Sequence, residues 1–406
     1  MKLPIYLDYH ATTPTDSRVV NAMLPYFTEH FGNAASRQHR FGWIAEEAVE
    51  KARRTIAKSI NAEPKEIVFT SGATEANNLA LKGVAEAYRK KGNHIITSRT
   101  EHRSVLDVCS VLEKVGFQVT YLDVDENGLV DLQQLRDAMT SETILVSVMM
   151  ANNEIGTIAP IGEIARICLE RGVLFHTDAT QGFGRTPIDV QSMNIHLMSV
   201  SGHKVYGPKG IGVLYVRSKN PRVTITQQMD GGGHEHGMRS GTLNVPAIVG
   251  FGKAVEIAAE SVNEESVRIL AMRDSLERRL LSVEGVERHG HPTQRLCNNL
   301  SLSFPFVRSN DLMMALKNDV AVSSGSACSS ADLEAEHSSH VLRAIGLDDE
   351  LAKCTIRIGL GRFTTQEEID YAGSKIVEAV KELRASSPQY QMSISNEAHS
   401  LTAAVH

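Results

Sequence analysis

Between residues 16 and 216, short apolar runs alternate with segments in which apolar residues recur at helical spacing. Six of these runs have the length and composition of buried strands. They are residues 67–69, 95–96, 144–146, 173–175, 197–200 and 211–215. Strands that alternate with helices predict an α/β fold with a mostly parallel, doubly wound sheet and helices on both faces. In such a sheet, functional groups collect at the carboxyl ends of the strands.

The rest of the chain predicts a smaller α+β domain. A charged helical stretch over residues 245–283 leads into it, residues 298–304 and 355–358 have strand patterns, and a helix over 366–385 closes it. We expect a large domain at 15–257 and a small domain made of 1–14 and 258–387. Residues 388–406 have little periodicity and many small polar residues, which predicts a poorly ordered tail.

Composition and charge argue against several classes of protein, among them nucleic-acid-binding and disulfide-rich proteins. A net charge of -6 gives no basic surface for nucleic acid, and no segment suggests a membrane partner. The N-terminal segment has neither a long apolar run nor an Arg-rich amphipathic pattern, so a cytoplasmic location is expected. The 5 cysteines are odd in number and include no C-x-x-C pair, which argues against a disulfide framework and a structural zinc site.

Two charged residues follow successive predicted strands. Lys204 comes after the run 197–200 among small residues, where an amine can enter a pocket and form a Schiff base. Asp178 comes after the run 173–175 and can pair with the protonated pyridine nitrogen of pyridoxal phosphate (PLP). Lys204 could instead be an ordinary solvated lysine on the surface. Asp178 could instead be a helix N-cap, and its spacing fits this role about as well as it fits a cofactor ligand.

Other polar residues lie where a cofactor could use them. A predicted strand passes through Gly72 into a helix, where the backbone of Ala73 and the hydroxyl of Thr74 could hold a phosphate. His102 could stack on a cofactor ring and move protons, and Asn153 could bind a ring oxygen or a substrate carboxylate. Thr74 could instead only cap the helix, His102 could be a structural histidine, and Asn153 could belong to an ordinary Asn/Gly turn.

Cys328 differs from the other cysteines. It lies in the run SSGSACSS at residues 323–330, which provides no large apolar neighbour to bury it. Cys109 and Cys168 fall inside helical patterns and are expected to be small buried hydrophobic residues. An accessible thiol can react as the thiolate, so Cys328 is the candidate nucleophile.

The chain resembles the group I cysteine desulfurases of the housekeeping iron–sulfur type, which are PLP enzymes of fold type I. The resemblance extends from Tyr6 to about Ser387 and includes the segments already described. Further matching motifs are DYHATTP at 8–14, GNAAS at 32–36, NNEIG at 152–156, DATQ at 178–181, SGHK at 201–204, RSGT at 239–242 and RIGLGR at 357–362.

The resemblance implies a role for each candidate site residue. Lys204 would form the Schiff base, Asp178 would face the pyridine nitrogen, and Gln181 would bind the ring hydroxyl. His102 would stack on the ring. The implied phosphate ligands are Thr74, Ser201, His203 and, from the neighbouring subunit, Thr242. Arg357 with Asn153 would bind the substrate carboxylate, a task that suits a planar guanidinium.

The implied reaction converts L-cysteine to L-alanine and leaves the sulfur as a persulfide on Cys328. The implied assembly is a homodimer. Its partners would be an iron–sulfur scaffold protein and other sulfur acceptors, such as a tRNA-thiolation carrier. Cys328 would either ligate a transferring cluster or receive it only transiently. The sequence leaves the choice of acceptor and the use of selenocysteine open, and it predicts no direct nucleic acid or membrane partner.

The chain departs from the family pattern in four places. His10 stands where Ser or Asn is usual, and Gly359 stands where Ser is frequent. We expect these two differences to adjust local packing. Residues 334–339 make the segment after Cys328 slightly longer than usual, which would alter the reach of the sulfur-carrying loop. Residues 389–406 do not resemble the usual terminus, which would affect docking of a scaffold protein.

Two other functions fit parts of the pattern. An aminotransferase or another PLP lyase would need Lys204, Asp178 and His102 but not Cys328. A catalytically idle binding protein that keeps the fold would purify without a bound chromophore. The run GGGHEH at 231–236 suggests metal ligands, but the sequence shows no further ligand and the run falls in a Gly-rich motif of the family, so no metal site is predicted.

Overall fold

The computed structural model describes residues 2–324 and 338–393. The candidate nucleophile Cys328, residues 334–337 of the longer segment and residues 394–406 of the tail lie outside the described residues. The strands are β1 (Ile5–Tyr6), β2 (Ile67–Thr70), β3 (His94–Ser98), β4 (Gln118–Leu122), β5 (Thr143–Ser147), β6 (Leu174–Asp178), β7 (Leu197–Ser201), β8 (Gly212–Val216), β9 (Glu287–Arg288), β10 (Asn299–Ser303), β11 (Val320–Ala321), β12 (Ser323–Ser324) and β13 (Thr355–Gly359).

The α-helices are α1 (Ser17–Met23), α2 (Pro25–Thr28), α3 (Arg40–Ser59), α4 (Ala73–Tyr88), α5 (Arg103–Lys114), α6 (Leu132–Ala138), α7 (Ile161–Glu170), α8 (Val245–Leu281), α9 (Ser309–Leu316), α10 (His340–Ala344), α11 (Asp349–Lys353) and α12 (Gln366–Ser386). Short 3₁₀ helices cover Pro64–Glu66, Gly202–Lys204 and Glu235–Gly237. Within the described ranges, no helix is both long enough and apolar enough to span a bilayer.

The chain divides into two compact units. The large unit contains Ala11–Asn153 and Thr157–Glu264. The small unit contains the described residues of Met1–His10, Glu154–Gly156 and Glu265–His406. The domain bounds that the sequence suggested, at residues 15, 258 and 388, stay a prediction.

The large unit is built on a sheet whose described strands follow the order β2-β8-β7-β6-β5-β3-β4. The pairs from β7 to β4 are parallel, whereas β8 is antiparallel to both of its neighbours. Because successive side chains point to opposite faces, Val146 and Phe175 enter one apolar core and Leu145 and Leu174 enter another. Helices α3 and α7 cover the first face, and α4 and α5 cover the second. The predicted mostly parallel, doubly wound α/β fold is confirmed.

The order of the strands positions the candidate site. Strands β6 and β7 are parallel neighbours, with Asp178 opposite Ser199. The chain leaves β6 at Asp178 and leaves β7 at Ser201, so the residues that follow these two strands lie at one edge of the sheet. The turn Gly202–Lys204 comes directly after β7 and therefore lies at this same edge.

The small unit has an antiparallel sheet in the order β12-β13-β10-β9 and a parallel pair of β1 with β11. Its apolar core contains Leu300 and Leu302 of β10, Ile356 and Ile358 of β13, and residues of α12. The strand patterns at 298–304 and 355–358 and the closing helix at 366–385 are confirmed.

The two family departures in this unit are in direct contact. His10 is buried, and its Nε2 lies 3.3 Å from the Asn298 carbonyl oxygen. A Cβ on Gly359 would lie 2.7 Å from His10 Cδ2 and 3.0 Å from the backbone nitrogens of His10 and Tyr9. The imidazole of His10, together with the backbone of residues 9 and 10, therefore occupies space that a side chain at position 359 would need.

We predict that Gly359→Ser lowers the free energy of unfolding by about 1–3 kcal/mol, because it overpacks a filled region. In a His10→Ser background the same change should cost less, and the coupling should be at least about 0.5 kcal/mol. Denaturant unfolding of the two single variants and the double variant measures this coupling. Gly162→Ser is the control, since a Cβ there meets nothing within 4 Å. An equal cost of Gly359→Ser in both backgrounds would contradict the account.

Candidate active site

Lys204 lies in the turn that leaves β7. That strand is buried along its whole length, and the 3₁₀ turn Gly202–Lys204 follows it without an intervening loop. Gly202 allows this close turn, because a Cβ there would lie 2.8 Å from Ile211 Cγ2. Lys204 Nζ donates to the Ala11 carbonyl oxygen at 2.9 Å, and the side chain is half-buried. The fold thus presents a partly desolvated amine at the sheet edge.

Asp178, the last residue of β6, has a buried carboxylate. Its Oδ2 accepts from the Asn77 amide at 2.8 Å, and its Oδ1 accepts from the Thr180 backbone N–H at 2.9 Å. Both of these donors are neutral, so they stabilise the carboxylate without balancing its charge. A buried carboxylate in this situation favours a cation as a further partner.

Burial shifts the pKa values of two titratable neighbours of Asp178 toward their uncharged forms. Burial raises the pKa of Glu101 well above its usual value, and the charge of Asp178 raises it too, against the effect of a backbone hydrogen bond. Burial lowers the pKa of His176 to about 4, although the charge of Asp178 acts in the opposite direction. The His176 imidazole lies between the hydroxyls of Ser147 and Ser199, at 2.8 Å and 3.0 Å. The Asp178 carboxylate therefore has a neutral imidazole beside it, and burial opposes the ionisation of Glu101.

His102 is connected to Asp178 through two side chains. It is the N-cap of α5, and its Nδ1 accepts from the Ser104 backbone N–H at 3.1 Å. Ser104 Oγ lies 2.8 Å from His102 Nδ1 and also 2.8 Å from the amide nitrogen of Asn77. The same amide nitrogen donates to Asp178. One line of hydrogen bonds thus joins α5, α4 and β6.

The start of α4 presents backbone N–H groups. Its N-cap, Gly72, has a φ of +154° and provides no side-chain cap. Gly72 is also packed against β8, since a Cβ on Gly212 would lie 2.6 Å from the Gly72 Cα. Ser201 Oγ lies 3.9 Å from the point that a Cβ of Gly72 would occupy. The first N–H groups of a helix, here those of Ala73 and Thr74, have no acceptor within the helix and suit an anion.

His203 lies in the turn just before Lys204. Its Nδ1 lies 3.0 Å from Thr12 Oγ1. Burial lowers the pKa of His203 to about 4, and the charges of Lys204 and Lys209 add to this effect. The imidazole is therefore neutral at physiological pH, and it can donate one hydrogen bond without contributing a second charge.

Ion pairs fix the Gly-rich segment that precedes Thr242. Glu235 pairs with the buried Arg53 at 2.8 Å, so its carboxylate is used within the large unit. Arg239 pairs with Glu75 of α4 at 2.7 Å, while Thr242 itself is exposed. Over the described ranges, no group of three or more His, Cys, Asp or Glu side chains is arranged to bind a metal ion.

Gln181 and Asn153 are both buried. Gln181 follows Asp178 in the turn after β6. Asn153 lies after β5, in a turn that is fixed by the Asn152 amide, which donates to the Thr100 carbonyl oxygen at 3.0 Å. Both amides therefore follow neighbouring strands of the sheet, β6 and β5.

Arg357 belongs to the small unit, on β13, and is 2% exposed. Its Nη2 donates to Asp8 Oδ1 at 3.0 Å, and the Ser323 hydroxyl donates to the same oxygen at 2.9 Å. Asp8 is fixed in turn by a backbone bridge to Gly359. The carboxylate of Asp8 balances the buried guanidinium charge and holds it in one orientation, which reduces the entropy that Arg357 loses when it binds a carboxylate.

The groups in the large unit fit the chemistry of PLP. The helix start, Ser201 and His203 could supply donors for a phosphate. The Asp178 carboxylate, held by neutral donors, would suit a protonated ring nitrogen, and Lys204 could supply an amine for the aldehyde carbon. The anion-binding and cation-binding groups are thus separate, as the two ends of this cofactor require.

Burial makes three of the described cysteines poor nucleophiles. Cys109, Cys168 and Cys354 are buried, and Cys297 is half-buried. Burial raises the pKa of Cys109 to about 12, and nearby carboxylates add to the shift. Burial also raises the pKa of Cys168 and of Cys354. The prediction that Cys109 and Cys168 are buried is confirmed, whereas Cys328 lies outside the described residues.

The sequence interpretation did not identify several residues that hold the site together. Asn77 and Ser104 connect Asp178 with His102, and Asp8 orients Arg357. A signal was available for Asn77, because an amide among the buried Ala76, Leu79 and Ala80 of α4 is an unusual choice for an apolar helix face. Asp8 offered no comparable local signal.

Known proteins resemble this chain along nearly its whole length. The class-V aminotransferase family model matches residues 5–372. Cysteine desulfurase IscS of Colwellia psychrerythraea (strain 34H / ATCC BAA-681) is 57% identical over 97% of this chain and 96% of its own length. A solved NifS-like protein has a TM-score of 0.87 at 38% identity, covering 93% of this chain and 100% of its own. The solved structure of SspA in complex with cysteine has a TM-score of 0.77 at 37% identity, covering 89% and 100%.

We predict that Cys109 and Cys168 of the folded protein do not react with an alkylating reagent at pH 8. Burial holds both thiols protonated and out of contact with the reagent, and the thiolate is the reactive form. Timed labelling followed by mass spectrometry of the peptides, with and without denaturant, measures this difference. Denaturant should make both cysteines react at the rate of an ordinary thiol. Fast labelling of either cysteine in the folded protein would contradict the assignment.

Proposed function

Since the chain belongs to the class-V aminotransferase family and, within it, to the cysteine desulfurases, we propose that it transfers sulfur from L-cysteine to its own Cys328 with PLP as cofactor. The observation that carries the proposal is the placement of Lys204 and Asp178 after two neighbouring parallel strands. This placement puts a partly buried amine and an uncompensated buried carboxylate at one edge of the sheet. The likeness to SspA, which was solved with cysteine, supports the choice of substrate.

In this proposal, Lys204 would bind the aldehyde carbon of PLP, Asp178 would pair with the ring nitrogen, and Gln181 would bind the ring hydroxyl. His102 would stack on the ring, and Asn153 would bind the ring oxygen. The phosphate ligands would be Ala73, Thr74, Ser201, His203 and, from the neighbouring subunit, Thr242. When bound, PLP supplies an electron sink for the negative charge that forms at the substrate Cα.

The chain's own residues then handle the substrate and its proton. Arg357, held by Asp8 at 3.0 Å, binds the carboxylate of L-cysteine, and Asn153 binds it as well. Lys204 Nζ would be the base that takes the α-proton of the substrate. Asp178 would provide the buried carboxylate for the protonated ring nitrogen, and burial shifts the pKa values of its neighbours Glu101 and His176 toward their uncharged forms.

Cys328 performs the sulfur transfer. Its thiolate attacks the sulfur of the substrate, so that an S–S bond forms and the Cβ–Sγ bond of the substrate breaks. The electron pair of the broken bond stays on the three-carbon fragment, which leaves as L-alanine after protonation. L-cysteine and the Cys328 thiol thus give L-alanine and a Cys328 persulfide, and no external oxidant or reductant is needed.

We also propose a cytoplasmic homodimer that passes its sulfur to an iron–sulfur scaffold protein and to other acceptors. Four exposed aromatic side chains, Phe27, Phe31, Phe41 and Trp43, support the dimer. Each of these side chains is more than half exposed, and the rings of Phe31 and Phe41 are 5.3 Å apart. Large exposed apolar patches mark interfaces. The exposure of Thr242 is compatible with a role in a neighbouring subunit.

We predict that Cys328→Ala binds PLP like the wild type but forms alanine from L-cysteine at least about 100-fold more slowly, because the nucleophile is lost while the electron sink remains. Cofactor absorbance and amino-acid analysis measure the two properties. Mass spectrometry of the cysteine-treated wild type should show one added sulfur on the Cys328 peptide. Cys297→Ala, which removes a half-buried thiol, is the matched control and should be fully active.

Two results would contradict the mechanism. One is a normal rate of alanine formation by Cys328→Ala, and the other is a persulfide mainly on another cysteine. Lys204→Ala tests the cofactor assignment separately, because it should abolish turnover. An aminotransferase would behave differently, since its reaction would depend on Lys204 and would not change in Cys328→Ala.

We predict that the double variant Phe31→Glu/Trp43→Glu sediments as a monomer, because charges replace two of these exposed aromatic side chains. It should also bind PLP more weakly, since the phosphate site would lack Thr242 of the neighbouring subunit. Analytical ultracentrifugation and cofactor titration measure these effects. Val267→Glu, at a residue that is 71% exposed in the small unit, is the control and should stay dimeric. A fully active wild-type monomer would rule out the shared site.

A further inference from the structure

We propose that Asn77 is a positioning residue that holds Asp178 and His102 together as one hydrogen-bonded unit. The proposal rests on the proposed PLP site, since these are the two side chains assigned to the ring. Asn77 itself is assigned to neither the cofactor nor the substrate. Its amide nitrogen lies 2.8 Å from Asp178 Oδ2 and 2.8 Å from Ser104 Oγ, which in turn lies 2.8 Å from His102 Nδ1.

Chemistry fixes the direction of each bond in this line. An ionised carboxylate only accepts hydrogen bonds, so the group of Asn77 that faces Asp178 is its NH₂ group. The second hydrogen of this NH₂ group is then donated to Ser104 Oγ. The Ser104 hydroxyl therefore donates its own hydrogen to His102 Nδ1. The same nitrogen also accepts a hydrogen bond from the Ser104 backbone N–H at 3.1 Å. The proton of the neutral His102 ring is consequently on Nε2.

The line also fixes the Asp178 carboxylate. Asn77 holds Oδ2, while the Thr180 N–H holds Oδ1 at 2.9 Å. A carboxylate that is bound at both oxygens by donors on different elements cannot rotate freely about its Cβ–Cγ bond. Asn77 comes from α4 and Thr180 follows β6, so the carboxylate plane is set by the packing of that helix on the sheet.

The burial of Asn77 indicates that its donors are the reason for its presence. Asn77 is 0% exposed, and its Oδ1 has no hydrogen-bond partner among the described residues. An unpartnered buried amide oxygen costs free energy that an apolar side chain would avoid. Both N–H bonds of the amide are nevertheless used, one toward Asp178 and one toward Ser104.

The test compares Asn77→Leu, which has a similar size but no donor, with Asn78→Leu. Asn78 is the adjacent asparagine, and its amide donates to the Thr74 carbonyl oxygen within the same helix. Two readouts are independent of turnover. The first is the Kd of the apoprotein for PLP, and the second is the ¹⁵N NMR shift of His102 Nδ1, assigned by its loss in His102→Gln. Melting temperatures report any general loss of stability.

We expect Asn77→Leu to raise the Kd for PLP at least about tenfold, as for the loss of one hydrogen bond to a charged group. It should also move the His102 Nδ1 resonance, because Ser104 loses the donor that orients its hydroxyl. Asn78→Leu should change neither property. A lower melting temperature with unchanged Kd and unchanged His102 resonance would show a merely structural role and would overturn the proposal.

Two further variants keep the test decisive if Asn77→Leu does not fold. Asn77→Asp has nearly the same shape but cannot donate when ionised, so it should also raise the Kd for PLP. Ser104→Ala breaks the line on the His102 side, so it should move the His102 resonance with a smaller effect on PLP binding. If neither variant has its stated effect, the proposal is wrong. If the wild type itself binds no PLP, the proposed function fails, whereas the His102 resonance of the apoprotein still tests the line.

Discussion

The buried carboxylate of Asp178 is the feature on which the rest of the proposed site depends. Burial raises the pKa of the neighbouring Glu101 well above its usual value and lowers that of His176 to about 4, so it shifts both neighbours toward their uncharged forms. The donors that hold the Asp178 carboxylate, Asn77 and Thr180, are neutral. A buried carboxylate with neutral donors suits a cation, and in the proposed function the ring nitrogen of PLP would be that cation. The sheet contributes by placing Lys204 after the next strand, at the same edge.

The large unit and the small unit each hold groups that suit a different anion, a phosphate in the large unit and a substrate carboxylate in the small unit. In the large unit, the start of α4 and the neutral His203 would offer donors to a phosphate, and Glu75, the carboxylate in the first turn of α4, is paired with Arg239. In the small unit, Asp8 holds Arg357 in one orientation before any substrate carboxylate is present. This preorganisation reduces the entropy lost on binding. The nucleophile assigned to sulfur transfer, Cys328, belongs to neither set, so the proposed electron sink and the proposed sulfur acceptor can be altered independently.

Much of this arrangement could be predicted from the sequence. The strands around Asp178 and Lys204 were predictable because they are buried on both faces and therefore appear as continuous apolar runs. The contact of Asn77 with Ser104 could not be predicted. A single polar residue on a helix has many potential partners, and only the packing of α4 against α5 selects one of them. The pairing of Asp8 with Arg357, and that of His10 with Gly359, joins residues from opposite ends of the chain. No local pattern reports such pairs.

The most direct test of the central claim is to incubate the purified protein with L-cysteine and an excess of a small thiol, and to measure alanine and sulfide in the same samples. A cysteine desulfurase gives the two products in equal amounts and at the same rate, because each sulfur that reaches Cys328 leaves one alanine behind and the thiol releases it as sulfide. We expect this one-to-one ratio. Sulfide accompanied by pyruvate and ammonia, or alanine without sulfide, would contradict it.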